Sequence, residues 1–293
     1  MSELEGPEHP LIEKVEKNVY GHLAWFLLNE MWRENRVIVP GREAAWQEIS
    51  RVAERKQSQT KANPAAAQRL LARHAVEGVN SILFKEASGG IEIPLEIDTN
   101  VFNPDLTKAS RLLLSVMRLT DYEGKRFLDA FSGSGVLGIY AAAVGASVVS
   151  YDISAAAVAC AQKNALHNEV SQNMDIRQGD HTCLQPEEKF DIIAANPPLL
   201  PIQANFSEQP LASAVFDPEL RATIDFIELL PNHLAQDGRC YLITSSTFDS
   251  TGRDMYTLCE QNGLVAQLVT AAPREHEWYR IHEIRRSNNE HSG

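Results

Sequence analysis

Apolar side chains near the start of the chain recur at helical spacing. Leu11, Val15, Val19, Leu23, Phe26 and Leu27 predict a helix over residues 11–32. A second helix is predicted over 42–54, ended by the polar stretch 56–61. Asn63-Pro64 then reads as another helix start, because the N–H that proline lacks is unused in a first turn. Near Gly78 the pattern becomes strand-like. Residues 81–85 and 91–97 flank Ser88-Gly89-Gly90, a hairpin signal. In the second run Ile91, Ile93, Leu95 and Ile97 alternate with Glu92, Pro94 and Glu96, and the proline restricts it to a sheet edge.

From residue 106 onward helix and strand patterns alternate. Helices are predicted over 106–119, 136–144, 155–167, 218–234 and 254–262. Strands are predicted over 126–131, 147–153, 175–178, 190–195, 240–245, 264–270 and 278–284. Repeated strand–helix units imply an α/β, Rossmann-like fold: a mostly parallel sheet with helices on both faces. Two successive strands at the end imply an antiparallel edge hairpin. The expected organisation is a small helical domain over 1–78, a β-hairpin linker over 79–100, a catalytic α/β domain over 101–286 and a disordered tail over 287–293. The helical domain is open to a role in substrate recognition or a purely structural one.

Composition narrows the setting. The 293 residues carry 27 basic and 39 acidic side chains, a formal net charge of −12. Nucleic-acid binders usually present a basic face, so the balance favours a protein or small-molecule partner and makes nucleic acid less expected. No apolar run approaches the roughly 20 residues needed to span a bilayer, and residues 1–10 are polar and acidic, unlike a signal peptide. Cys160, Cys183, Cys240 and Cys259 are widely spaced, with no metal or redox pairing. A cytoplasmic location without membrane contact is expected; the oligomeric state is left open. Glu275-His276-Glu277 does not read as a metal site, because alternation along a strand turns His276 away from both neighbours.

The strongest chemical signal is Asp129-Ala-Phe131-Ser-Gly133-Ser-Gly135-Val-Leu-Gly138, between a predicted strand and a predicted helix. Glycines there permit a sharp turn and close approach of a ligand. Asp152 ends the next strand, where a carboxylate accepts from both hydroxyls of a ribose. These features suit an adenosine-containing cofactor at a topological switch point. The glycines also spell the dinucleotide fingerprint. Asp129 argues against it: a carboxylate there would repel a pyrophosphate but could face an ammonium group. Asn196-Pro197-Pro198-Leu199, after the fourth strand of the sheet, has no obvious use in a nicotinamide enzyme.

Residues 100–286 resemble class I S-adenosylmethionine-dependent methyltransferases of the Asn-Pro-Pro-aromatic type, which implies a Rossmann-like methyltransferase fold with S-adenosyl-L-methionine as cofactor. The resemblance implies that Asp129 and the loop from Phe131 through Gly133 to Gly135 hold the methionine part. It places the ribose at Asp152, with Ile153 beside it, and the adenine amino group at Asp180, with His181 beside that. Asn100-Val-Phe-Asn-Pro104 with Thr107 resembles the segment capping the cofactor in protein-glutamine N5-methyltransferases, bringing Phe102, Pro104 and Thr107 to the pocket. Those enzymes also place a helical domain and a hairpin before the catalytic domain. Asn103 stands where they carry arginine.

In the related families the asparagine oxygen and the following carbonyl hold the acceptor nitrogen as charge develops on it. Carried over, Asn196 and Pro197 are the clamp, Asn196 also touches the cofactor, Pro198 stiffens the turn and Leu199 replaces the stacking aromatic. Leucine forfeits a stacking gain of about 1–3 kcal/mol per planar base. Phe206, Phe216 and Trp278 are candidate substitutes. The expected activity is N-methylation of a protein side chain or small metabolite by in-line transfer. Alternatives are an RNA or DNA N-methyltransferase, a nicotinamide-dependent oxidoreductase and a non-catalytic methyltransferase-like binding subunit.

Overall fold

The computed structural model of the chain describes residues 62–77, 80–85, 92–203, 210–274 and 277–287. The helices expected over 11–32 and 42–54 and most of the expected tail lie outside them, as do Phe206, Glu275 and His276; of Trp278 only the backbone is described.

Seven strands form one sheet: β3 (Arg126–Ala130), β4 (Ser147–Asp152), β5 (Met174–Gln178), β6 (Phe190–Ala195), β7 (Leu234–Ser245), β8 (Leu264–Arg274) and β9 (Glu277–Arg286). Their order is β5-β4-β3-β6-β7-β9-β8. The first five are parallel; β9 runs antiparallel to both β7 and β8, the edge hairpin anticipated from the last two apolar runs. The α/β, Rossmann-like fold therefore stands. A separate antiparallel pair, β1 (Ser81–Lys85) and β2 (Glu92–Glu96), forms the hairpin, with Leu83 opposite Pro94.

Six described helices accompany the strands: α1 (Pro64–Glu77), α2 (Ala109–Met117), α3 (Val136–Ala143), α4 (Ala155–His167), α5 (Arg221–His233) and α6 (Met255–Gln261). Alternation along the central strands divides the core between the two sheet faces. Phe127, Ile192, Tyr241 and Ile281 join one cluster, with residues of α2 and α3. Leu128, Ile193, Leu242 and Ile284 join the other, with residues of α5 and α6. Continuous apolar runs such as Ile192–Ala195 are the mark of strands buried on both faces.

Of the boundaries that differ from the sequence reading, three have a local reason. The helix expected from 106 starts at Ala109, because Asn103 caps a separate 3-10 turn, Pro104–Leu106, and Thr107 is extended. The helix expected from 218 starts at Arg221. Glu219 and Leu220 take left-handed φ values of 59° and 60°, and the buried Asp217 carboxylate accepts from Ala222 N and from Thr223 N and Oγ1. Strand β7 begins six residues before Cys240, since Leu234 already pairs with Phe190 before a shift in register. Gly238 fits that irregular stretch: a Cβ there would meet the Phe190 carbonyl oxygen at 2.9 Å.

Candidate active site

The sheet order reverses between β3 and β6. Connections leaving these strands diverge, which opens a crevice beyond their C-terminal ends. A cavity of about 580 Å³ lies there, within the size range of small-molecule sites.

The turn after β3 forms one wall. Phe131 follows the strand with φ at 61°, a conformation few bulky residues accept. Its ring packs edge-on against Tyr151 and Phe226, at centroid distances of 5.8 and 5.7 Å, and this packing holds the strained backbone. Gly133, with φ at 53°, directs its amide to Asp152 Oδ2 at 2.9 Å. Asp152 Oδ1 accepts from Ser154 N, also at 2.9 Å. The carboxylate thus ties the turn after β3 to the end of β4. Burial raises its pKa, while the amides of Ser154 and Gly133 oppose the rise.

Two expected cofactor contacts stand behind this wall. Asp129 is fully buried, and its Oδ2 accepts from Gly138 N at 2.9 Å. Gly138 in the first turn of α3 holds that oxygen; Oδ1 has no partner among the described residues, and Asp129 is not among the residues that line the cavity. Burial pushes its carboxyl up to about 7; the Gly138 amide lowers it and the nearby Asp152 raises it further. Gly135 packs α3 against α4: a Cβ added there would lie 3.0 Å from the Ala161 Cβ.

The other expected residues all line the cavity: Phe102, Pro104, Thr107, Phe131, Gly133, Asp152, Ile153, Asp180, His181, Asn196, Pro197, Pro198 and Leu199. Ile153 is 66% exposed, a large apolar side chain presented at the wall. Asp180 accepts from Thr182 N at 2.9 Å and Thr182 Oγ1 at 2.6 Å, and these bonds hold its carboxyl below the usual range.

Asn196 follows the last residue of β6, and its Nδ2 donates to Ser110 Oγ at 3.2 Å. Pro197 and Pro198 are buried. The Leu199 carbonyl accepts from Thr247 Oγ1 at 3.3 Å. Leu200 then bridges to Phe216: its amide donates to Val215 O at 3.1 Å and its carbonyl accepts from Asp217 N at 2.8 Å. This brings Phe216, one of the candidate aromatics, to the cavity wall.

Helix α1 completes the enclosure. Leu70 lines the cavity and, with Ala67, packs against Leu200, Val215 and Phe216. His74 is buried and stacks on Phe102 at 5.4 Å. Its Nε2 lies 2.8 Å from Val101 O and 2.9 Å from Asn103 N, and burial lowers its pKa. Sequence reading missed Leu70, Ser110 and Tyr279 as cavity residues. Each sits in an apolar or mixed helix or strand pattern that reads as packing.

Two buried hydroxyls on the cavity wall, Ser132 Oγ and Tyr151 OH, have no partner among the described residues. With the exposed Ile153 and the carboxylates of Asp152 and Asp180, they fit a ligand that is polar at one end and flat and apolar at the other. Among the described residues no His, Cys, Asp and Glu cluster suits a metal ion, and no helix is long and apolar enough to cross a membrane.

A family model described as methyltransferase small domain matches residues 92–266. The ribosomal protein L11 methyltransferase of Desulfitobacterium hafniense is 36% identical over 107 residues, covering 36% of this chain and 34% of that protein. A Methanocaldococcus jannaschii protein, provisionally named protein N5-glutamine methyltransferase, is 32% identical over 158 residues, covering 53% of this chain and 77% of that protein. The chain thus spans about a third of the first relative and about three quarters of the second. Among solved structures, the T. thermophilus 16S rRNA N2 G1207 methyltransferase, in complex with AdoMet and guanosine, matches with a TM-score of 0.51 at 22% identity. That match covers 71% of this chain and 50% of that one, and it bears on the fold alone.

Proposed function

This chain belongs to the methyltransferase small domain family, and from that premise we propose that it N-methylates a protein side chain or small metabolite with S-adenosylmethionine. One observation carries the reading. Asn196, Pro197, Pro198 and Leu199 line the same cavity as Gly133, Asp152 and Asp180, so an acceptor clamp and an adenosine site face a common space.

The cofactor supplies a methyl group on a positively charged sulfur. The chain's own residues bind, align and exclude water. Asp152 accepts from the ribose hydroxyls, Ile153 covers one face of the adenine and Asp180 receives its amino group, with His181 beside it. Ser132 and the turn from Phe131 to Gly133 receive the methionine end, closed over by Phe102, Pro104 and Thr107. Asp129 acts from behind: it fixes the turn through Gly138. Asn196 Oδ1 and the Pro197 carbonyl accept from the acceptor nitrogen and stabilise charge as the new bond forms.

Leu199 leaves the Asn-Pro-Pro motif without its aromatic, and Phe216 supplies the flat wall instead. The relatives named for ribosomal protein L11 and N5-glutamine methylation favour a protein acceptor. A net charge of −12 points away from a nucleic-acid acceptor. A reducing, cytoplasmic compartment fits four free cysteines.

The test is incubation with labelled S-adenosylmethionine and cell extract, followed by separation of protein, RNA and small molecules. Label in protein or small molecules is expected. Label in RNA overturns the acceptor class. Cofactor binding without any labelled product marks a non-catalytic subunit.

A further inference from the structure

Asn196 carries a carboxamide whose two ends are nearly equal in size and opposite in chemistry. Only hydrogen bonds decide whether oxygen or nitrogen faces the cavity. Here Nδ2 is engaged: it donates to Ser110 Oγ at 3.2 Å. Oδ1 has no hydrogen-bond partner among the described residues and is not sealed in the core. Ser110 lies in the first turn of α2, is 4% exposed and lines the same cavity. Eighty-six positions separate the two residues, so α2 and the end of β6 must pack in register for the contact to form.

We propose that Ser110 is a positioning residue: its hydroxyl fixes the Asn196 carboxamide with Oδ1 turned toward the methyl acceptor. The proposal rests on the nitrogen-methylating reading above. An acceptor N–H needs a hydrogen-bond acceptor opposite it, and a carboxamide free to rotate offers one only part of the time. A serine hydroxyl can also donate, but the reversed amide would turn Nδ2 toward the acceptor's N–H, donor against donor. The preferred arrangement is therefore the observed one. Holding a polar group in its working orientation before the reaction avoids reorganising it during the reaction. Helix α2 also connects this contact to the cofactor side, since Thr107 and Pro104 lie just before it on the same wall.

The experiment compares Ser110→Ala, which removes the hydroxyl, with Ser110→Thr, which keeps it. The readouts are labelling of extract from tritiated S-adenosylmethionine, S-adenosylhomocysteine affinity, and the NMR signal of the Asn196 side-chain NH₂ pair, assigned by its loss in Asn196→Asp. Ser110→Ala is expected to slow labelling roughly 10- to 100-fold, the range set by modest misplacement of a reacting group. Its S-adenosylhomocysteine affinity should stay within about threefold, because the lost contact is on the acceptor side. The NH₂ pair should shift in Ser110→Ala and stay near its original position in Ser110→Thr, which also keeps most of the labelling rate. Combining Ser110→Ala with Asn196→Ala should cost little more than Asn196→Ala alone. Normal labelling in Ser110→Ala alongside impaired Asn196→Ala overturns the positioning role. An unmoved NH₂ pair, or equal loss in the alanine and threonine variants, overturns it too. Normal labelling in Asn196→Ala overturns the nitrogen clamp itself, whatever Ser110 does.

Discussion

Asp152 accepts the backbone amide of Gly133 across the gap between two parallel strands, at 2.9 Å. One carboxylate therefore shapes the turn after β3 and faces the cavity that the turn encloses. S-adenosylhomocysteine is expected to raise the melting temperature, and NAD to leave it unchanged, because a ligand that binds only the native state stabilises it by mass action. Asp152→Ala should weaken S-adenosylhomocysteine binding by about 10- to 100-fold, since charge-assisted hydrogen bonds are worth roughly 1.5–3 kcal/mol. It should also lower the melting temperature without ligand, because Gly133 and Ser154 lose their acceptor. Calorimetric titration beside thermal melting separates the two effects. Unchanged affinity would put the adenosine site elsewhere.

Asn196→Ala should lower the turnover number by about 100- to 1000-fold, the usual loss for one preorganised partner of developing charge. The Michaelis constant for the acceptor and the affinity for S-adenosylhomocysteine should change much less. Steady-state kinetics on the labelled acceptor fraction check this. Near-normal turnover would leave the Asn-Pro-Pro turn with a structural role only.

The Asp129 carboxyl is held at about 7 by burial, against an ordinary value of 3.8. Its protonated form is therefore favoured in the folded chain. The resulting stabilisation is complete below the ordinary carboxylate range and is lost as pH rises through about 7. Asp129→Asn keeps an oxygen for the Gly138 amide and carries no charge. The difference in stability between this variant and the parent should grow in favour of the variant from about pH 4 to 8, by on the order of a few kcal/mol. Chemical denaturation across that range measures it. A difference independent of pH would mean that Asp129 stays ionised throughout.

Phe216→Leu should raise the Michaelis constant for a flat acceptor group about tenfold, within the 1–3 kcal/mol associated with stacking. Leu199→Phe introduced into that variant should recover part of the loss, because it returns an aromatic to the neighbouring wall. Equal kinetics for the parent and Phe216→Leu would show that the acceptor is not held by a ring.

Periodicity and turn chemistry made most of the sheet legible beforehand, along with Gly133 and Asp152; Phe131, Ile153, Asp180, His181 and the turn at Asn196 came from the family resemblance. Strand ends at a switch point must converge, so residues at those ends could be assigned to one site without coordinates. Long-range pairing was not legible. Ser110 sits in a helix whose pattern reads as ordinary packing, and nothing in its neighbourhood names Asn196. Nor was the Asp129 contact legible: its position suited a charge, and in the structure Oδ2 accepts from Gly138 while Oδ1 has no partner among the described residues. The left-handed turn at Glu219 and Leu220 escaped notice because neither residue is a usual turn former.

The roof contributed by α1 bears on what can be inherited through the family. Leu70 and His74 precede residue 92, where the family match begins, yet one lines the cavity and the other secures Phe102 over it. Relatives aligned from that point share the machinery around the cofactor and are silent about this part of the wall. Two such enzymes could therefore diverge in what they methylate while the shared stretch barely drifts, and the leading segment is where that divergence would be written. A graft that exchanges residues 62–77 between relatives, leaving 92–266 intact, should move acceptor choice and spare S-adenosylhomocysteine affinity.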